Sequence, residues 1–244
     1  MSLNWSNLPE GVVSLVAAKF DGERSKVIRA LRGVCKPWLA EITAGITKAT
    51  MPKRAEAPIW QVIQKTPKLQ SLIVTEASNE QCETLLAEIR IVKPLLPELK
   101  SFAFSHCELW NCRMSLSECL GEHTRELKLV DCSIENKLDF KHLTSLTVDA
   151  YAFQLSDKDS SLWTAIFTNL PSLQFLYLEH FWTNDKVLIP NLPNLTSLTI
   201  KDSEIRHAEF LGGLPRVDYL DLYSSEFTDY VGDFVTLLPV STTA

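Results

Sequence analysis

The sequence predicts an α/β solenoid, a parallel sheet on one face of a stack of similar units, preceded by a short helical segment. Three observations carry this expectation. A nine-residue pattern recurs along most of the 244 residues. Its apolar positions alternate as they do in a half-buried strand. Residues 5–45 stand outside the pattern and carry helical apolar spacing instead.

The pattern is clearest at 214–222, LPRVDYLDL, and returns as LPNLTSLTI (192–200), LPSLQFLYL (170–178) and LPELKSFAF (96–104). FKHLTSLTV (140–148) and TPKLQSLIV (66–74) are weaker copies, and 125–129 keeps only RELKL. Leucine or a substitute fills positions 1, 4 and 6, and position 9 holds Ala77, Cys107, Cys132, Tyr151, Phe181, Ser203 and Ser225. This is the leucine-rich repeat frame, L-x-x-L-x-L-x-x-N/C-x-L. One such strand cannot bury its leucines alone, so the units must stack on a common core. The middle leucine falls at Leu72, Phe102, Leu127, Leu146, Leu176, Leu198 and Leu220, with gaps of 30, 25, 19, 30, 22 and 22 residues. About seven irregular repeats are therefore expected, with the parallel sheet on the concave face and the variable length on the convex side. Small polar residues at position 9 satisfy backbone groups as the chain leaves the strand. Tyr151 and Phe181 depart from that rule, which predicts looser turns there.

Taken in order, residues 1–45 form a first unit. Ser6 or Asn7 caps a helix with Pro9 and Glu10 in its first turn, and Val12, Val13, Leu15, Val16 and Phe20 follow on one face. Asp21-Gly22 breaks it. A second helix spans about 23–31, Arg32-Gly33 breaks again, and VCKPWLAEI opens a third. Three short helices bury little surface alone and need a neighbour or a partner. The run LPEGVVSLVAAKF…VIRALRGVCKPWLAEI resembles the F-box, through Leu8, Pro9, Glu10, Val34, Cys35 and Trp38, with Val12, Val13, Val16, Phe20, Val27 and Leu31 at its aliphatic positions. The resemblance covers about 40 residues; Pro37 and Gly11 depart from the usual pattern. A plain helical cap over the first strand is the competing reading.

Residues 46–65 read as a polar, basic linker and a lead-in helix (APIWQVIQK), and 66–244 as the repeat domain. Within it, 79–96 suggests a convex helix ended by Pro94, and 156–170 another, with Leu162, Trp163, Ile166 and Phe167 on its apolar face. Cys112 and Cys119 fall in one loop after Cys107 and His106, without the spacing of a zinc site. After Phe227 a last convex segment reaches Leu238-Pro239, five residues before the end. A tail folded back over the last strand, or a short form of a longer array, would follow from that.

Alternation assigns the outward side chains. One column reads Ser71, Ser101, Glu126, Ser145, Phe175, Ser197, Tyr219, and the next Ile73, Ala103, Lys128, Thr147, Tyr177, Thr199, Asp221. The third reads Thr75, Ser105, Val130, Asp149, Glu179, Lys201, Tyr223. The first half is small and bland. The second half collects Phe175, Tyr177, Glu179, Tyr219, Asp221 and Tyr223, aromatics ringed by charge as interface hot spots are; His180 and Trp182 extend the patch. Strand propensity and cross-strand stacking explain the same aromatics without a ligand.

A net charge of −6 argues against general nucleic-acid binding. No apolar run approaches the ~20 residues of a membrane span, and MSLNWSNLPE lacks the features of a signal peptide. Six cysteines without a disulfide ladder suggest a reduced, cytoplasmic or nuclear protein. Eight glycines and five scattered histidines supply no phosphate loop, metal motif or nucleophile arrangement, so neither an enzyme nor a cofactor is expected. What the F-box resemblance implies is a substrate receptor of an SCF ubiquitin ligase. Leu8, Pro9, Val12, Val16, Val34 and Trp38 would dock a Skp-type adaptor, and through it a cullin scaffold. The repeats would hold a target protein. A leucine-rich scaffold with a helical cap and no ligase link is the alternative.

Overall fold

The computed structural model describes residues 47–51, 66–109, 115–134, 138–149, 169–183, 192–206, 217–223 and 225–228. The segment 1–45 expected to be helical, with all six residues of the expected adaptor surface, lies outside them, as do Tyr151, Cys112 and nearly all of 156–170.

The described chain is α/β, built on one eight-stranded parallel sheet. Its strands are β1 (Lys48–Met51), β2 (Ser71–Thr75), β3 (Ser101–Ser105), β5 (Glu126–Val130), β7 (Ser145–Asp149), β8 (Phe175–Glu179), β10 (Ser197–Lys201) and β12 (Tyr219–Asp221), side by side in chain order. Two-residue strands β4 (Glu108–Leu109) and β6 (Ser133–Ile134) pair with each other, and β9 (Trp182–Thr183), β11 (Glu204–Arg206) and β13 (Glu226–Thr228) form a third small parallel sheet. The register is constant: Leu72, Phe102, Leu127, Leu146, Leu176, Leu198 and Leu220 lie in one row. Burial alternates along each of β2, β3, β5, β7, β8 and β10, with the second and fourth residues inside. One core runs continuously from Met51 to Ile200.

The recurring LPxL has a local cause. In four-residue turns Leu99 N–H donates to Leu96 O (3.1 Å), Leu173 to Leu170 (3.1 Å) and Leu195 to Leu192 (3.1 Å). Proline is the second residue of each turn, where its fixed φ fits and no N–H is needed. Both leucines of each turn are buried, so the same four residues reverse the chain and anchor it.

Strands β2, β3, β5, β8 and β10 each end at a left-handed corner occupied by a residue other than glycine: Glu76 (φ 54°), His106 (54°), Asp131 (50°), His180 (53°) and Asp202 (47°). The corner turns the residue's N–H toward the last carbonyl of the next strand, as in Glu76 to Ser105 (2.8 Å), His106 to Val130 (2.8 Å) and His180 to Lys201 (3.1 Å). That bond extends the ladder by one rung beyond the strand and offsets the roughly 1–2 kcal/mol that an L-residue loses in this conformation.

Position 9 follows immediately. Cys107, Cys132, Ser203 and Ser225 each donate to the carbonyl two residues back, at 3.3, 3.3, 2.7 and 3.2 Å. Ser203 also receives the backbone N–H of position 9 in the preceding unit, from Phe181 (3.0 Å). The looser turn expected at Phe181 is therefore absent. Its ring is fully buried, the Ser203 hydroxyl serves its N–H, and His180 keeps the same corner.

Helix α1 (Asn79–Val92) begins at Ser78, whose N–H is held by Gln81 Oε1 at 3.0 Å, and continues into a 3-10 turn at Lys93–Leu95 containing Pro94. It buries Cys82, Leu86, Ile89 and Val92 and leaves Ile91 outside. Helix α2 (Leu116–Leu120), capped by Ser115 Oγ on Glu118 N–H (3.2 Å), takes Cys119 out of the expected loop and buries it. The linker expected over 46–56 contains β1. Lys48–Met51 adds to the edge of β2, with Thr47 O accepting from Ser71 N–H at 2.9 Å and Met51 closing the core.

Candidate functional site

The odd residues of each strand form the open face of the sheet, and the register sets them in the three columns that alternation predicts. Ser71, Ser101, Glu126, Ser145, Phe175, Ser197 and Tyr219 are successive partners. So are Ile73, Ala103, Lys128, Thr147, Tyr177, Thr199 and Asp221. The third column runs from Thr75 to Lys201 in the same way.

The two halves of this face differ. Over β2 to β7 the small side chains of Ser71, Ala103, Ser145 and Thr147 leave a depression of about 540 Å³ flanked by Lys48, Glu126 and Lys128. Over β8 to β12 the surface rises. Phe175, Tyr219 and Tyr223 are 50, 56 and 61% exposed. Only Ile91 and Leu95 join them as exposed large apolar residues among those described, and both lie at the end of α1 and in the turn after it. Burial of such rings is worth ~1.5–3 kcal/mol each, so leaving three exposed on and just past strands β8 and β12 gives up core energy in a single place.

Charge is organised around them. Tyr177 Oη donates to Glu179 Oε2 at 3.0 Å, and Lys201, Glu179's partner in the next strand, donates to its other oxygen. The Lys201 ammonium holds the Glu179 carboxyl below its usual range, and Glu179 in turn pushes Lys201 upward. Burial, then the bond to Glu179, raises the Tyr177 phenol. Lys201 also lies 3.4 Å from Asp202 Oδ2, and His180 Nδ1 lies 2.9 Å from Asp149 Oδ1. Tyr219 Oη donates to Asp221 Oδ2 at 3.4 Å.

Five of the six residues expected to contact a target thus share the β8–β12 end of the open face, and the exposed Tyr223 lies two residues past β12. Sequence reasoning missed the role of Lys201 as the ion that binds β10 to β8, although the third column sets it beside Glu179. His180 occupies the corner after β8 and pairs with Asp149 of the third column.

Two clusters bear on metal or thiol chemistry. Glu179, His180 and Asp202 have ligand atoms within 4.8 Å of one another. The Lys201 ammonium already bridges Glu179 and Asp202 there, so a cation finds its counter-charges taken. Cys82, Cys107 and Cys132 are buried in the core near β2 to β5. The hydrogen bond shared with Cys107, and then burial, push the Cys132 thiol up, which keeps it protonated and unreactive.

No family model and no curated protein matches this chain. No helix among the described residues is long and apolar enough to cross a membrane.

Proposed function

We propose that this chain is a leucine-rich repeat receptor that holds a target protein on the concave face of its solenoid. Its N-terminal segment would deliver that target to an SCF-type ubiquitin ligase. The observation that carries the binding half is the grouping of Phe175, Tyr219 and Tyr223, exposed together beside Glu179 and Asp221 at one end of an otherwise small-residue face. The constant register supports the solenoid. The ligase half rests on the F-box resemblance of Leu8, Pro9, Val34 and Trp38, through which a Skp-type adaptor and a cullin scaffold are reached. The receptor does no chemistry; holding a target lysine near a charged conjugating enzyme raises its effective concentration.

One observation favours the second reading, a protein-interaction scaffold whose first 45 residues are only a cap. The outer edge of β1 has no strand partner among the described residues, and a helical segment packed there would protect it. Co-expression with a Skp adaptor followed by size-exclusion chromatography separates the two. Co-elution that Leu8→Ala/Pro9→Ala abolishes supports the receptor. A soluble chain that ignores the adaptor, wild type and variant alike, removes the ligase link and leaves the scaffold.

A further inference from the structure

We propose that the end of the open face built by β8, β10 and β12 is a slot for an arginine side chain, presented by a segment of the partner protein. This deepens the reading of the concave face as a target-binding surface and rests on it.

The walls follow from the register. Phe175, Ser197 and Tyr219 are partners across three adjacent strands, so two aromatic residues stand on either side of a serine. One row further along, Tyr177 and Asp221 stand on either side of Thr199. Two strand spacings are about 9.6 Å. A planar group seated over Ser197 and Thr199 would be roughly 4.8 Å from each wall, inside the ~6 Å over which a cation is attracted to an aromatic ring. Phe175 and Tyr219 are both at least half exposed, so nothing described fills the gap.

The charge of the slot selects its occupant. Lys201, the one ammonium among the three columns at this end, is committed to Glu179 and Asp202. Asp149 is matched by His180. Asp221 is half-buried and, among the described residues, has only the Tyr219 hydroxyl, at 3.4 Å. It is a carboxylate without a cationic partner among the described residues, standing beside aromatic side chains. An acidic segment would be repelled by Asp221. An aliphatic one would fill the gap and leave that carboxylate desolvated and unpaired. Arginine answers both features: its flat guanidinium stacks on rings, and its fork of N–H donors spans a carboxylate, where a lysine ammonium is a strongly hydrated point charge. The depression of about 540 Å³ over β2 to β7 continues the same face and offers room for the rest of the segment.

The test uses the full chain and a panel of fluorescein-labelled octapeptides, serine alternating with arginine, lysine, citrulline, glutamate or leucine, read by fluorescence anisotropy. The arginine peptide should bind most tightly. Citrulline, which keeps the shape and loses the charge, should bind about tenfold or more weakly. Phe175→Ala/Tyr219→Ala should weaken the arginine peptide by about tenfold or more, and the surface isostere Asp221→Asn by roughly three- to tenfold. Raising the salt should weaken binding to the wild type more than to Asp221→Asn. If another peptide of the panel binds best and depends on Phe175 and Tyr219, the arginine assignment is overturned while the face remains a docking surface. If no peptide shows binding that depends on those two residues, both fall.

Discussion

Replacing Ser203 by alanine isolates one rung of the position-9 ladder. The Ser203 hydroxyl is 4% exposed, donates to Lys201 O at 2.7 Å and accepts from Phe181 N–H at 3.0 Å. The two losses are unequal. Lys201 O also accepts from His180 N–H at 3.1 Å, so it stays satisfied. Phe181 N–H gives up its 3.0 Å bond beneath a fully buried ring, and a buried donor stripped of such a partner costs about 1–3 kcal/mol. The expected loss is about 2 kcal/mol, roughly thirtyfold in the opening equilibrium. Ser203→Cys restores the group that Cys107 and Cys132 use at the same position and should recover about half of that, sulfur being the weaker acceptor. Amide hydrogen exchange reads the effect directly: protection of the Phe181 amide should fall about thirtyfold in the alanine variant and less in the cysteine one. A urea titration would report the global part. Unchanged protection at Phe181, with stability within ~0.5 kcal/mol of wild type, would refute the ladder as a source of stability here.

Three further outcomes follow from the same geometry. Leu146→Ala, at a fully buried site, should cost about 2–5 kcal/mol, whereas Thr147→Ala on the open face should stay within ~0.5 kcal/mol, both measured by denaturant unfolding. The Glu179 carboxyl is depressed by Lys201. Its stabilisation is therefore fully present above the unfolded pKa of about 4.3 and disappears as pH falls through the lower folded value. Lys201→Met should move the Glu179 titration, followed by NMR, upward, and a titration that does not move would remove the pairing. At the Glu76 corner, glycine should be neutral or stabilising by up to ~1 kcal/mol. Valine should cost at least ~1–2 kcal/mol, because a β-branched side chain tolerates positive φ worst; melting temperatures decide it.

Much of the sheet was legible because a strand's side chains have period two and the frame fixes their phase. Writing LxL at Leu176 and Leu198 was enough to make Phe175 and Ser197 neighbours on the outer face, and the pairing Phe175–Ser197–Tyr219 bears this out. What escaped had no apolar signature. Strand β1, KATM, carries no frame leucine and exists because β2 has an open edge to fill. The left-handed corners escaped for a related reason. Glycine is the usual sign of positive φ, yet these corners hold Glu, His and Asp, since a rung to the next strand dictates the conformation. The histidines and aspartates at His106, Asp131, His180 and Asp202 were the available hint. The tight turn at Phe181 depends on the Ser203 hydroxyl of the next unit, a pairing that the residue type at 181 does not announce. Of the candidate site, the aromatic and acidic residues were readable column by column. The commitment of Lys201 to Glu179, which leaves Asp221 without a cationic partner among the described residues, required the distances.

The spacing between successive frames varies from 19 to 30 residues, yet every strand returns to the same register as the one before. The sheet therefore insulates phase from length. An insertion between two frames is absorbed where it occurs, and no error propagates to the columns on either side. Such a surface can be rewritten one address at a time. A change at position 175 or 221 alters what the face recognises without disturbing how the neighbouring strands are read, so recognition and architecture are free to diverge at different rates.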